Sequence, residues 1–331
     1  MRTCDETQAE ACIEYDADYI DVNGEVPFTK KLIKYHDWAK TNRVLVVPNA
    51  AGAGGIPDVG CFYTVRELRK KLGENAAVNK MHMYLYGSPG GAPSGGTLAT
   101  RAAMNAAMKD VAGLMSNPFA LGGSIMGGRR PEDADRNLSQ VEYDPDYDAW
   151  KAPFTYAFYE TRLVRRANWL LRDLGMSPYG RQLNYLEHLI MPTEQSAKDL
   201  QQANTSSKAE EEKLRKEGRL FKLGEGLDES ARDSIWSEYW FDAIGESGEK
   251  IRTRLTGKDG YYDETAHMSI ELAILCSEYR EKLPFAGGVL TPGVAGGDPY
   301  IEALHATGLS FEVMSEDAKV DFSRLVAAVS D

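Results

Sequence analysis

The stretch Arg43 to Gly60, RVLVVPNAAGAGGIPDVG, constrains this chain more than any other. Arg43 to Val47 is a short Val-rich run of the kind that forms a strand buried on both faces. A glycine-rich turn with two prolines follows. Beyond it comes an amphipathic helix whose Val65, Leu68 and Leu72 share one face. Strand, glycine turn, helix is the geometry that brings a backbone close to a ligand at the carboxyl end of a sheet. Gly52, Gly54 and Pro57 fall on the spacing of G-x-G-x-x-G, but proline stands third. The third glycine of that fingerprint permits close packing of helix on strand, and no acidic strand end follows at about 20 residues to hold a ribose. The turn is therefore read as something other than a dinucleotide fingerprint.

The remaining composition narrows the field. A net charge of -12 argues against nucleic acid and anionic membranes as main partners. Cys4, Cys12, Cys61 and Cys276 are scattered without a C-x-x-C pair, which reads as reduced thiols and neither a disulfide framework nor a metal site. The polar amino terminus, MRTCDETQAEAC, lacks the pattern of a secretory signal, and no apolar run approaches the ~20 residues of a membrane span. A soluble, cytoplasmic protein is expected.

Taken in order, the chain predicts a helix ending near Tyr15, a strand at Tyr19–Val22 closed by Asn23-Gly24-Glu25, a helical stretch from Phe28 to Trp38, and the strand at Arg43. That is an α/β pattern with a parallel sheet, entered abruptly. Met81–Gly87 predicts a strand leading into SPGGAPSGGT and an Ala/Met-rich helix from Thr97. Ser94 and Thr97 at that helix start could hold an anion or simply cap the helix. Asn117–Gly123 and Tyr143–Phe154 read as linkers. Tyr156–Leu174 predicts a helix closed by Gly175, and its Arg162, Arg165 and Arg166 could bind a phosphate or carboxylate or form a solvated face.

Residues 194–219 read as a solvated polar insertion. Asp228 should cap a short helix through Trp236, and a hairpin is expected around Glu246–Glu249. Asp263 should cap a buried helix running to Glu281. His267 and Glu271 lie four apart on it, and two ligands without a third do not make a metal site. Gly287–Gly297 reads as a glycine loop, Asp298–Ala306 as a last helix and Ser310–Val313 as a final strand.

Several of these blocks together resemble the saccharopine dehydrogenase-like oxidoreductases, including the trans-acting enoyl reductases. YIDVNGE (Tyr19–Glu25) is similar to the family's YxDxxGE, and GGIPDVG to its GFDSIPSDLG. SGGTLAT, NPFALGG, WKAPFTYAFYETRLVRRANWLL, YGRQLNYLE, GEGLDESAR, GYYDETAHMSIELAILC and GGVLTPGVAGG follow in the family's order. The resemblance spans roughly Ala11 to Val313. It implies an NAD(P)-linked reductase with an amino-terminal Rossmann domain and a second α/β domain covering the cleft. Relatives act on saccharopine or lipid-like acyl intermediates, and some associate with lipid droplets.

The departures shape the expectation. The family's first βαβ unit, with its pyrophosphate-binding motif, has no counterpart, and the family loop's Asp and Ser are replaced by Gly54 and Gly55. The fold expected is α/β: a remnant of a doubly wound Rossmann domain (residues 1–60), a second α/β domain with a mixed sheet (residues 61–295), and a carboxyl-terminal helix and strand (residues 296–331). The chain is read as a truncated member of the family, inactive as it stands. The alternative is a non-catalytic binding or scaffold relative that has lost its NAD or NADP site. A homodimer through an exposed sheet edge is also expected. The candidate cleft residues are Asp21, Glu25, Gly54, Gly55, Pro57, Asp58, Ser94 and Thr97, with Arg162 and Arg166 for a substrate carboxylate. Tyr19, Tyr185 and His267 are the candidate proton donors.

Overall fold

The computed structural model describes residues 6–88, 91–123, 137–217 and 220–325, except for the side chains of 104–112, 115, 204–212, 214 and 215. Cys4, part of the SPGG turn and parts of the polar insertion lie outside the described residues. The elements in order are α1 (Thr7–Glu14), β1 (Tyr19–Ile20), α2 (Val26–Ile33), α3 (His36–Asn42), β2 (Leu45–Val47), α4 (Gly52–Leu72) and β3 (Val78–Gly87). Then follow α5 (Gly95–Met115), β4 (Glu142–Asp144), β5 (Ala149–Pro153), α6 (Ala157–Asp173), β6 (Asn184–Met191) and α7 (Glu194–Lys216). The last part holds α8 (Glu229–Arg232), β7 (Ser237–Gly245), β8 (Lys250–Gly257), α9 (Asp263–Glu278), β9 (Gly288–Val289), α10 (Pro292–Thr307) and β10 (Ser310–Met314).

Two sheets organise the protein, and together they make a mixed α/β fold. The smaller is parallel, in the order β1-β2-β9. Such a sheet needs cover on both faces. Val44, Val46 and Val289 meet Ile13, Phe28, Leu32 and Ala39 of α1–α3 on one side. Leu45, Val47 and Leu290 join α4, α9 and α10 on the other. The third strand, β9, lies inside the stretch read as a glycine loop. The boundary read at residue 60 falls within α4.

The larger sheet has seven strands in the order β10-β8-β7-β3-β6-β5-β4. Only β3 and β6 run parallel; the other pairs are antiparallel. Alternation along β3 sorts its side chains to the two faces. Met81 and Met83 enter the main core with α4 and α6, while Tyr84 and Tyr86 pack on the opposite face against Val320 and Phe322.

The hairpin, the final strand and the Gly175 stop stand as expected: Gly175 takes a left-handed φ of 83° and Met176 N–H returns to the Leu171 carbonyl at 2.7 Å. Asp228 caps α8 through Ala231 N–H at 2.9 Å, though the helix ends at Arg232. Other readings are corrected. Tyr143–Phe154 is not a linker but contains the hairpin β4–β5. Asp263 is the first residue of α9 and bonds Arg232, while the Asp259 carbonyl takes the Glu264 N–H at 2.9 Å. Nor is α9 buried on most sides, since Ile270 and Ile274 are exposed.

Candidate functional site

The carboxyl ends of β1 and β2 carry a polar cluster. Asp21, just past β1, accepts the Tyr19 hydroxyl at 2.5 Å, Asn23 N–H at 2.7 Å and Asn49 N–H at 3.3 Å. Burial pushes its carboxyl above the usual range against those bonds. Asn49, in a left-handed conformation at φ 80°, donates to the Asn23 carbonyl at 2.7 Å and the Thr29 hydroxyl at 3.1 Å. The Tyr159 hydroxyl donates to the same Asn23 carbonyl at 3.0 Å. Glu25 takes the position before α2, where Asn23 Oδ1 accepts its N–H at 2.6 Å. Its half-buried carboxyl is pushed up by burial, opposed by a bond with Thr100 on α5. On the next residue, the Arg101 guanidinium donates to the Tyr156 hydroxyl and lies over its ring at 5.4 Å.

The structure thus brings Tyr19, Asp21 and Glu25 into one cluster. Ser94 and Thr97 mark the same helix, α5, but their geometry is that of a cap: Ser94 Oγ accepts Thr97 N–H at 3.2 Å.

The glycine turn does different work. Gly52–Gly60 is not a loop; it is the start of α4, interrupted by Ala53 and by Gly54 at φ 89°. Only glycine reaches that conformation without strain. A Cβ on Gly54 would also lie 2.8 Å from the Tyr159 ring, and one on Gly52 would overlap the Gly260 carbonyl. The amides that could cradle a phosphate are already bonded: Gly52 N–H to Thr265 Oγ1 at 2.9 Å, Gly54 N–H to Glu160 Oε1 at 3.0 Å, and Gly55 N–H to the Ala51 carbonyl at 3.0 Å. Pro57 sits in the first turn after the break, where no N–H is needed. Asp58, fully buried, accepts Gly293 N–H at 2.6 Å and so serves the start of α10. A dinucleotide pyrophosphate does not fit this turn.

The arginines of α6 are corrected too. Arg162 and Arg166 are buried, and their guanidiniums serve backbone carbonyls: Arg162 those of Asn117 and Phe158, Arg166 those of Leu121 at 3.1 Å and Val289 at 2.6 Å. They hold the 117–121 turn and β9 against α6. Tyr185 is wholly buried beside Glu187 and Cys61, with its phenol pushed far up by burial. His267 lies half-buried on α9, its Nδ1 3.5 Å from Glu264 Oε2. Among the described residues, no hydrogen bond joins either to the Asp21 cluster, and no group of three or more His, Cys, Asp or Glu side chains could hold a metal.

Sequence reasoning missed Arg101, Tyr156, Asn49 and Glu160. Arg101 and Glu160 each stand within a helix, where a charged residue ordinarily signals a solvated face.

No family model matches the chain. A Mycobacterium tuberculosis protein assigned to the trans-acting enoyl reductases is 25% identical over 323 residues, covering 91% of this chain and 75% of that protein. A trans-acting enoyl reductase of Mycobacterium bovis is 26% identical over 321 residues, covering 90% and 74%. Among solved structures, apo histidine-tagged saccharopine dehydrogenase (L-Glu forming) from Saccharomyces cerevisiae aligns over 93% of this chain and 82% of that chain, with TM-score 0.42 and 11% identity. Among the described residues no helix is long and apolar enough to cross a membrane. The two mycobacterial matches, at 25% and 26% identity, agree with the resemblance to the trans-acting enoyl reductases that the sequence motifs carry.

Proposed function

We propose that the chain is an enoyl reductase-like oxidoreductase acting on a lipid-like acyl or amino-acid-derived substrate, with NAD or NADP as its redox partner. The reacting cleft in this reading lies at the carboxyl ends of β1 and β2. The parallel sheet with α1–α3 is taken as the counterpart of the Rossmann layer.

One observation carries the reading: Arg101 of α5 pairs with Tyr156 at the start of α6, and its neighbour Thr100 bonds Glu25, so the pair adjoins the polar cluster at the ends of the parallel strands. Burial pushes the Tyr156 phenol up, so it stays a neutral donor. A cation beside a neutral phenol suits a carbonyl that gains negative charge during reduction. The start of α4 does not fit a pyrophosphate, so no step is assigned to the dinucleotide there.

That same turn favours a second reading, a non-catalytic binding relative. Its amides already bond Glu160 and Thr265, as in a protein that needs no phosphate at this place. Titrating the purified chain with NADH and NADPH, then adding a 2-enoyl thioester or saccharopine with the matching cofactor form, separates the two. Saturable cofactor binding with turnover supports the reductase. Binding of the thioester with neither cofactor bound would establish the second reading instead.

A further inference from the structure

A groove of about 330 Å³ lies between the last turns of α4, the start of β8 and the end of β10. Its apolar part follows from the strand pattern. Alternation puts Phe311 and Val313 on the same side of β10. Phe311 packs on Tyr63 of α4, their ring centroids 5.3 Å apart. Val313, one repeat further, is left 53% exposed. It pairs with Thr253, so Ile251, two residues back on β8, faces the same side. A row that faces the core elsewhere in the sheet thus opens here as an apolar floor, and Met314 extends it.

Cations stand around that floor. Lys70 is held by Glu67 at 2.8 Å, and Arg252 is committed to Asp242 at 2.5 and 2.8 Å. Lys71 lies 3.7 Å from Glu316, both side chains more than half exposed, and its charge also reaches Glu249. Water leaves such a surface pair little net attraction, so another carboxylate can take the place of Glu316. Lys250 is exposed and, among the described residues, makes no ion pair.

We propose that this groove binds a fatty carboxylate, its anionic end on Lys71 and Lys250 and its hydrocarbon tail on Ile251, Val313 and Met314. The volume falls at the lower end of the range for small-molecule sites. A bare inorganic anion would leave the floor in water, and a neutral hydrocarbon would leave the ammonium groups unused. The groove is separate from the reacting cleft proposed above: α4, about 30 Å long, runs from the glycine turn at one end to the groove at the other. The inference goes beyond the reductase reading and does not depend on it.

Titrating the intact chain with octanoate below its micellar concentration, by calorimetry and by the methyl NMR signals of Val313 and Met314, tests the assignment. Acetate carries the charge without the tail, and octanol the tail without the charge. Octanoate should bind saturably, about tenfold or more tighter than either, and should shift both methyl signals. Lys71→Ala combined with Lys250→Ala should weaken octanoate about tenfold and leave octanol unchanged. Val313→Asp, at an exposed position, should keep melting near native and remove octanoate binding. Arg101→Met, in the proposed reacting cleft, should bind octanoate as the native chain does. The proposal is overturned by absence of octanoate binding, by acetate or octanol binding as tightly, or by native affinity in the lysine and Val313 variants. Loss of binding in Arg101→Met alone would place the carboxylate in the cleft and overturn it as well.

Discussion

The Asp58 carboxylate accepts the Gly293 amide at 2.6 Å across 235 positions of sequence, fastening the first turns of α4 to the start of α10. Both elements close over one face of the parallel sheet, so this bond fixes how the glycine turn meets the last helix. Burial holds the Asp58 carboxyl up at about 7 against bonds from Gly293 and Thr291 that lower it. The folded protein therefore keeps a proton that the unfolded chain releases near pH 4. Stability from this group is full below that pH and is lost as pH rises through about 7, at about 1.4 kcal/mol per pH unit. Asp58→Asn keeps an acceptor for Gly293 and removes the titration, so its melting temperature should depend less on pH between 4 and 7. Asp58→Ala strands a buried amide and should cost about 1–3 kcal/mol at any pH. Denaturant unfolding of the three proteins at two pH values checks both outcomes.

Arg166 makes a second long connection, from α6 to the carbonyls of Leu121 and Val289. Replacing it with Met removes both donors and leaves two buried carbonyls without them. The loss should reach about 2–4 kcal/mol. Arg166→Lys keeps the charge but not the two-pronged reach, and should recover only part. If Arg166 instead binds a ligand carboxylate, Arg166→Met would leave unfolding nearly unchanged and weaken ligand binding.

These two residues show why the fold was easier to read than the site. The strand at Leu45–Val47, the hairpin β7–β8, the Gly175 stop and the Asp228 cap depend on local signals: apolar runs, turn residues and a capping carboxylate. By contrast, β6 hides its strand pattern because Glu187 and His188 interrupt the apolar run, and both are buried. Two-residue β9 exists only through pairing with β2. From sequence Arg166 reads as a cation for a substrate carboxylate or as a solvated face, because its partners are backbone carbonyls far away in sequence. Of the candidate residues, Asp21 and Glu25 are suggested by a strand end followed by a turn, and the structure places both with Tyr19 in one polar cluster. Arg101 and Tyr156 are not suggested, because tertiary packing alone brings them together.

His36 gives the opposite pH dependence to Asp58. Its Nδ1 lies 3.2 Å from Val289 N–H, and burial, then the nearby Arg166 charge, pull its pKa below the ordinary value. The unfolded chain takes up this proton more readily than the folded one. Stability from His36 is therefore present above about pH 6.5 and lost as pH falls. Between pH 7 and 5 the native protein should lose melting temperature that His36→Asn, with no titrating ring, does not lose. Parallel acid-side melting curves would exclude the effect.

The cleft itself yields to a pair of substitutions at Arg101 and Tyr156. Both are only half-buried, so removing their polar ends should leave unfolding close to native. A charge-assisted bond to a ligand oxygen is worth about 1.5–3 kcal/mol, so Arg101→Met should lower kcat/KM for a turned-over acyl substrate roughly 10- to 100-fold. Tyr156→Phe removes a neutral donor and should cost less, about 10-fold. Because the guanidinium and phenol bond each other, the double variant should lose less than the product of the two. Steady-state kinetics of the four proteins, alongside their melting temperatures, decides. Full activity in Arg101→Met would move the reacting oxygen away from this corner and leave the pair a structural brace between α5 and the start of α6.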